Sequence, residues 1–127
     1  MEFTIRTTLN TSAESIYNAW LSSEGHTAMT GGEARITDQP GDEFTAWDGY
    51  ISGKNLELTP PSRILQSWRT TEFEDQEEDS VLEIILKDKD GQTEITLIHS
   101  NLPAHGEQYK KGWDDHYFQP MSAYFNQ

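Results

Sequence analysis

An aromatic stripe near the C-terminus limits the folds open to this chain. Tyr109, Trp113, Tyr117, Met121 and Phe125 recur every four residues, with Tyr124 alongside. On a helix of 3.6 residues per turn that spacing drifts sideways, so the apolar face is broad. A face that wide needs a cover from another element. Gly112 and Pro120 interrupt the run, and Pro120 is expected to kink the helix or begin a final separate turn.

Upstream segments supply the cover. Phe3, Ile5 and Thr7 alternate with Thr4, Arg6 and Thr8, which predicts a strand. Thr11 and Glu14 then fit a capping box, and Ala13, Ile16, Tyr17 and Trp20 share one face of a short helix. Gly25 is expected to end that helix or bend the chain after it. His26 to Gly32 reads equally as a short helix or a loop, closed by Gly31-Gly32.

Strands are expected at residues 33–37 and 43–47. Asp48-Gly49, set between Trp47 and Tyr50, is a hairpin signal, because a type I′ turn needs positive φ at both central positions. The return strand runs from Tyr50 towards Leu58 and stops at Pro60-Pro61, which offers no ladder donor. Residues 64–71 form a further strand, with Ile64, Gln66, Trp68 and Thr70 on one face and Leu65, Ser67 and Arg69 on the other. Residues 81–87 and 93–99 make the last pair, joined tightly through Asp90-Gly91. The order is strand, helix, about six strands, helix. Tight connections imply antiparallel neighbours, since parallel ones need long crossovers. The expected fold class is α+β: one domain over residues 1–127, a curved antiparallel sheet gripping a long C-terminal helix.

Charge and composition narrow the function classes. The net charge is -13, from 22 acidic and 9 basic residues, which disfavours nucleic acid and anionic lipid as partners. A basic protein face or a neutral ligand fits better, and solubility alone also explains the acidity. Without cysteine there is no disulfide, thiolate nucleophile or Cys-based zinc site. No apolar run is long enough to span a bilayer, and the start lacks a basic, apolar signal sequence. Cytoplasmic residence is the expectation.

Several short blocks, in this order, carry a family resemblance. They are Ser12-Ala13-Glu14-Ser15-Ile16-Tyr17-Asn18-Ala19-Trp20-Leu21, Gly31-Gly32-Glu33-Ala34, Gly41-Asp42-Glu43-Phe44 and Asp48-Gly49-Tyr50-Ile51-Ser52-Gly53. Leu56-Glu57-Leu58-Thr59-Pro60, Arg63-Ile64-Leu65-Gln66-Ser67-Trp68-Arg69, Thr93-Glu94-Ile95-Thr96-Leu97-Ile98-His99 and Gly112-Trp113 follow. The chain resembles the family named after the C-terminal domain of the activator of Hsp90 ATPase, within the START-like, helix-grip superfamily. That resemblance implies a sheet curved around the terminal helix, often with a cavity between them. It also implies a role in binding lipids, hormones or polyketide-like molecules, in cyclase or hydrolase chemistry, or in chaperone regulation during stress. In the eukaryotic co-chaperone a separate domain precedes this one, and the expectation here is a stand-alone domain without it. Relatives often have Trp in the stretch where this chain carries Met29.

Three functions compete. The first is binding of a small apolar or amphipathic ligand between sheet and helix, with Trp20, Met29, Phe44, Trp68, Leu97, His99, Trp113 and Tyr117 as the contacts. The second is a protein-interaction module for an Hsp90-type chaperone. There Glu72, Glu74, Asp75, Glu77, Glu78 and Asp79, a block that no packed core accepts, would steer a basic partner. The third is an enzyme acting on a hydrophobic substrate through His99 or a carboxylate such as Glu43, Glu57 or Glu83. No GxSxG, phosphate-binding glycine loop or HExxH is present, so no catalytic residue is assigned. His99 reads first as a buried structural hydrogen-bonder, Arg69 as a surface pair, and Asp114, Asp115 and His116 as a solvated helix face rather than a metal site. No cofactor is called for. A monomer or a weak homodimer is expected.

Overall fold

The computed structural model describes residues 1–126. Its strands are β1 (Phe3–Leu9), β2 (Glu43–Ala46), β3 (Ile51–Thr59), β4 (Arg63–Thr70), β5 (Ser80–Lys89) and β6 (Gln92–Ser100). They form one sheet in the order β1-β6-β5-β4-β3-β2, and every neighbouring pair is antiparallel. Two helices, α1 (Ala13–Trp20) and α2 (Ser23–Thr30), lie between β1 and β2. A continuous helical run closes the chain: a 3-10 turn at Ala104–Glu107, α3 (Gln108–Trp113), a π turn at Asp114–Phe118 and α4 (Gln119–Phe125). Among the described residues no helix is long and apolar enough to cross a membrane.

Register explains which side chains share the inner face. Phe44, Gly53, Trp68 and Ser80 lie opposite one another across β2 to β5. Asn55, Gln66, Leu82, His99 and Phe3 form the next row, from β3 to β1. Alternation puts Ile64, Ile84, Leu97 and Ile95 on that face too, and all are buried. The outer face mixes half-buried apolar residues such as Leu65, Ile85 and Ile98 with charged pairs: Glu83 and Glu57 flank Arg63 at 2.6 and 3.6 Å.

Several expectations need correction. The cap of α1 is Ser12, whose Oγ accepts from the Ser15 N–H at 3.1 Å, not Thr11 with Glu14. Asp88 explains the shift, because its carboxylate accepts from the Ala13 N–H at 2.9 Å. Gly25 does not end α1. It sits inside α2, where a Cβ would press on the Ala19 backbone at 2.8 Å, so it sets the close crossing of the two helices. The ambiguous stretch is helical up to Thr30, and Gly31 terminates it at φ 89°.

Residues 33–37 are not a strand. Only Arg35 bridges to Thr45. The flanking N–H groups of Ala34 and Ile36 go to Thr27 Oγ1 and Ser23 Oγ on α2, at 3.0 and 2.9 Å. These two donors lie on the edge turned away from β2, where helix side chains satisfy them, and five strands rather than six follow the helices.

Pro120 stands at the start of the final helical segment, the second of the two expected alternatives, and the run stays continuous through it. The proline falls in the first turn of α4, directly after the π turn. A four-residue spacing overshoots a full α-helical turn by about 40° per step, and one extra residue in a π turn takes back about 100°. That correction keeps Met121 buried on the same side as Tyr109, Trp113 and Tyr117. Tyr124 leaves the stripe and is 38% exposed, while Phe118, which the spacing omits, is buried.

Candidate functional site

The interior between sheet and terminal helix is an aromatic stack. Trp113 lies 5.6 Å from Trp68 and 6.2 Å from Trp20 between ring centroids, and Tyr117 meets Trp113 at 4.7 Å. Trp20 reaches the stack because Ala13, Ile16, Tyr17 and Trp20 are all buried on one face of α1. Trp68 and His99 reach it through strand alternation.

His99 is wholly buried beside Trp68, at 4.6 Å. Its Nδ1 accepts from the Trp113 indole N–H at 3.0 Å. Ser80 Oγ donates its own proton to the Trp68 carbonyl at 2.7 Å, so His99 Nε2–H must donate to Ser80 at 2.8 Å. The ring is a fixed neutral tautomer, and burial pushes its pKa down to about 3. With both nitrogens committed, His99 has no free atom for proton transfer.

A second buried histidine lies beyond the sequence-derived set. His26 on α2 donates from Nδ1 to the Trp20 carbonyl at 2.9 Å and accepts at Nε2 from the Tyr117 hydroxyl at 2.8 Å. Burial pushes His26 down to about 4, partly offset by the Trp20 carbonyl. Burial also pushes the Tyr117 phenol up. The Trp47 indole N–H leans towards this hydroxyl, near enough to ease its ionisation but short of hydrogen-bonding geometry. No local motif marks His26, since its role exists only once α2 meets the terminal helix.

A third chain of bonds runs from Trp20 Nε1 to Gln66 at 3.4 Å, and from Gln66 to Asn55 at 2.8 Å. Asn55 in turn donates to the Thr37 and Gln39 carbonyls at 2.9 and 3.0 Å. These bonds fasten the segment after α2 to the sheet.

Beside the stack opens a cavity of about 450 Å³. The hairpin supplies Trp47, Tyr50 and Ile51. The sheet supplies Trp68, and the terminal helix Gln108, Tyr109, Gly112, Trp113, His116 and Tyr117. The Asp48-Gly49 turn has positive φ at both residues, 58° and 89°, and Trp47 shares that sign at 51°. Gly32 leaves room for the Trp47 ring, since a Cβ there would collide with the indole. Across the cavity His116 meets Trp47 edge-on at 5.5 Å. A Cβ at Gly112 would meet nothing within 4 Å, so the missing side chain is part of the opening.

The expected ligand contacts therefore divide. Trp68, Trp113 and Tyr117 line the cavity, whereas Trp20, Met29, Leu97 and His99 are packed core behind it. Phe44 covers Gly53 on the inner face and does not reach the cavity. Trp47, Tyr50, Tyr109 and His116 were missing from the set. The available signal was the pair of aromatic residues bracketing Asp48-Gly49.

The acidic stretch is an exposed loop tied down at several points. Arg69 holds it from the outer face, donating to the carbonyls of Glu74 and Glu77, both at 3.1 Å, and to Asp79 at 2.8 Å. Its guanidinium also lies 5.3 Å from the centroid of the buried Phe73 ring. Glu77 faces His105 at 3.0 Å, while Glu72, Glu74, Asp75 and Glu78 remain exposed. Asp115 pairs with Lys111, and Asp114 accepts from Gln119. No cluster of three metal-type side chains occurs among the described residues.

Comparison with known proteins gives a consistent picture. A curated mouse protein, activator of 90 kDa heat shock protein ATPase homolog 2, is 26% identical over 115 residues, covering 90% of this chain and 34% of that protein. The chain thus spans about a third of this relative, and 23% of a Dictyostelium discoideum protein described as an activator of 90 kDa heat shock protein ATPase homolog. Among solved structures, an HSP90 activator from Plasmodium falciparum superposes with a TM-score of 0.90 at 23% identity, covering 99% of this chain and 96% of that one. The Aha1 dimer from Colwellia psychrerythraea gives 0.81 at 15% identity, with 98% and 96% covered. These structures share the fold of six antiparallel strands and a terminal helix found here. The model of the family described as activator of Hsp90 ATPase homolog 1-like protein matches residues 10–126, and the chain belongs to that family.

Proposed function

We propose that this chain is an interaction module that binds an Hsp90-type chaperone and modulates its ATPase. The observation that carries the reading is the family match over residues 10–126, supported by curated relatives described as activators of that ATPase. The fixed acidic loop supports it physically. Arg69 neutralises part of the loop from behind and leaves Glu72, Glu74, Asp75 and Glu78 facing solvent, a surface suited to steering a basic partner face. Cytoplasmic residence and a monomeric or weakly dimeric state belong to the same proposal.

The test is the ATPase rate of a purified Hsp90-type chaperone with increasing amounts of this protein, with binding followed by calorimetry. Binding is expected to weaken with salt and to weaken further in the Glu74→Gln, Asp75→Asn, Glu78→Gln variant. An unchanged rate together with no binding at low salt would refute the module. Binding indifferent to both salt and these substitutions would remove the acidic loop from it.

A second reading rests on the cavity. Its volume falls within the range of small-molecule sites, and its walls are mainly aromatic. In this reading the chain binds a small, largely apolar molecule between the hairpin and the terminal helix. Proton-detected titration of the cavity ring signals with a fragment set tests it.

A further inference from the structure

The walls of the cavity specify the charge of what it would hold. Trp47, Tyr50, Trp68, Tyr109, Trp113 and Tyr117 make up most of its lining, and neither lysine nor arginine takes part. The polar groups of four of these rings are already engaged. Tyr50 donates to the Glu72 carboxylate, Tyr117 to His26 Nε2, and Trp113 to His99 Nδ1. Tyr109 shares a hydrogen bond with Thr70 at 2.6 Å. Apart from Gln108 and His116, the lining thus offers mainly ring carbon and π surface to an occupant. Each phenol or indole that donates a hydrogen bond also pushes electron density back into its ring, which strengthens the negative potential of the ring face.

Charges nearby are mostly negative. Asp48 stands in the hairpin, and Glu72 behind Tyr50. On the helix Glu107, Asp114 and Asp115 adjoin lining residues, against Lys110 and Lys111, of which Lys111 is paired with Asp115 at 2.7 Å. The whole chain carries -13. An anionic ligand would meet no lysine or arginine in the lining and several ring faces of its own sign. A cation gains from both the faces and the surrounding field.

We propose that the cavity binds an organic cation, a quaternary or tertiary ammonium joined to an apolar body. This rests on the cavity reading above and sharpens it. A quaternary ammonium is weakly hydrated and has no donor that must find an acceptor, so an aromatic enclosure loses little by desolvating it.

The experiment compares benzyltrimethylammonium with its carbon isostere neopentylbenzene and with 3-phenylpropionate, read by shifts of tryptophan and tyrosine ring signals. Each probe is run against the wild-type protein and Gly112→Leu, at low salt and in 0.5 M sodium chloride. The variant projects its side chain into the opening from a position where a Cβ meets nothing within 4 Å. The ammonium is expected to bind about tenfold more tightly than the isostere, with no detectable binding of the carboxylate. It should persist in high salt and disappear in Gly112→Leu, whose thermal melt should stay at or above that of wild type. Equal binding of ammonium and isostere overturns the charge selectivity and leaves a neutral-ligand cavity. No binding by any probe overturns the cavity reading and this inference with it. Binding that vanishes in high salt, or survives in Gly112→Leu, is adsorption to the acidic surface and overturns the assignment.

Discussion

Acid should unfold this protein through two histidines that have no room to be charged. His99 and His26 are both buried and neutral, held to about 3 and about 4 against an ordinary 6.5. The cause is burial, and geometry reinforces it for His99: a proton added at Nδ1 would face the Trp113 N–H, donor against donor. Because both folded-state values lie below the unfolded value, the unfolded chain binds the extra protons between them. The stabilisation is therefore complete above about pH 6.5 and is lost as pH falls towards the folded values. Each histidine gives a slope of about 1.4 kcal/mol per pH unit, so at pH 5 the two together have cost about 4 kcal/mol, a large part of the 5–15 kcal/mol typical of a domain.

Protonating surface carboxylates acts in the opposite direction, since it relieves self-repulsion in a chain of charge -13. A variant comparison cancels that effect. In His99→Gln the amide oxygen can accept from Trp113 and the amide N–H can donate to Ser80, without a titrating group. Urea denaturation of both proteins at pH 7.5, 6 and 5 is the assay. The wild-type stability should fall more steeply below pH 6.5, by about 1.4 kcal/mol per unit. Parallel pH dependences for wild type and variant would refute the buried neutral histidine.

Three further outcomes follow from local geometry. Gly112→Ala should stabilise the helix by about 0.5–1 kcal/mol in urea titrations, since the added Cβ meets open space and alanine is the better helix former. Gly53→Ala should destabilise by at least about 2 kcal/mol, seen as a lower melting temperature, because its Cβ would collide with the Ser67 carbonyl and press on the Phe44 ring. Arg69→Gln should speed amide exchange across residues 74–79 while changing global stability by less than about 1 kcal/mol, because the arginine's bonds are partly exposed and local to that loop.

The sheet was legible because its signals are local. The alternation of Ile64, Gln66, Trp68 and Thr70, and the turns at Asp48-Gly49 and Asp90-Gly91, each lie within a few residues, and all appear as read. The segment at 33–37 misled because its composition suits a strand, while its hydrogen bonds go to Ser23 and Thr27 on a helix that the sequence left ambiguous. Gly25 misled for a related reason, as its small size serves a helix crossing rather than a helix end. The inner wall of the cavity could be anticipated from Trp68, Trp113 and Tyr117. Its rim could not, because Trp47 and Tyr50 join the wall only when the hairpin folds over the helix. Periodicity also cannot distinguish a ring that fills space from one that borders it, which is why Trp20 and Leu97 stood beside Trp68 in the expected set.

The π turn at Asp114–Phe118 gives the end of the chain a spare residue. Deleting one residue there would restore ordinary helical pitch and leave everything downstream nearly in phase, because the turn holds one residue more than an α-helical path needs. Met121 would stay in the interior. The same deletion within α3 or α4 has no such reserve and would swing the downstream face through about 100°. A shortened variant that keeps the fold is therefore expected to lose its residue from this turn.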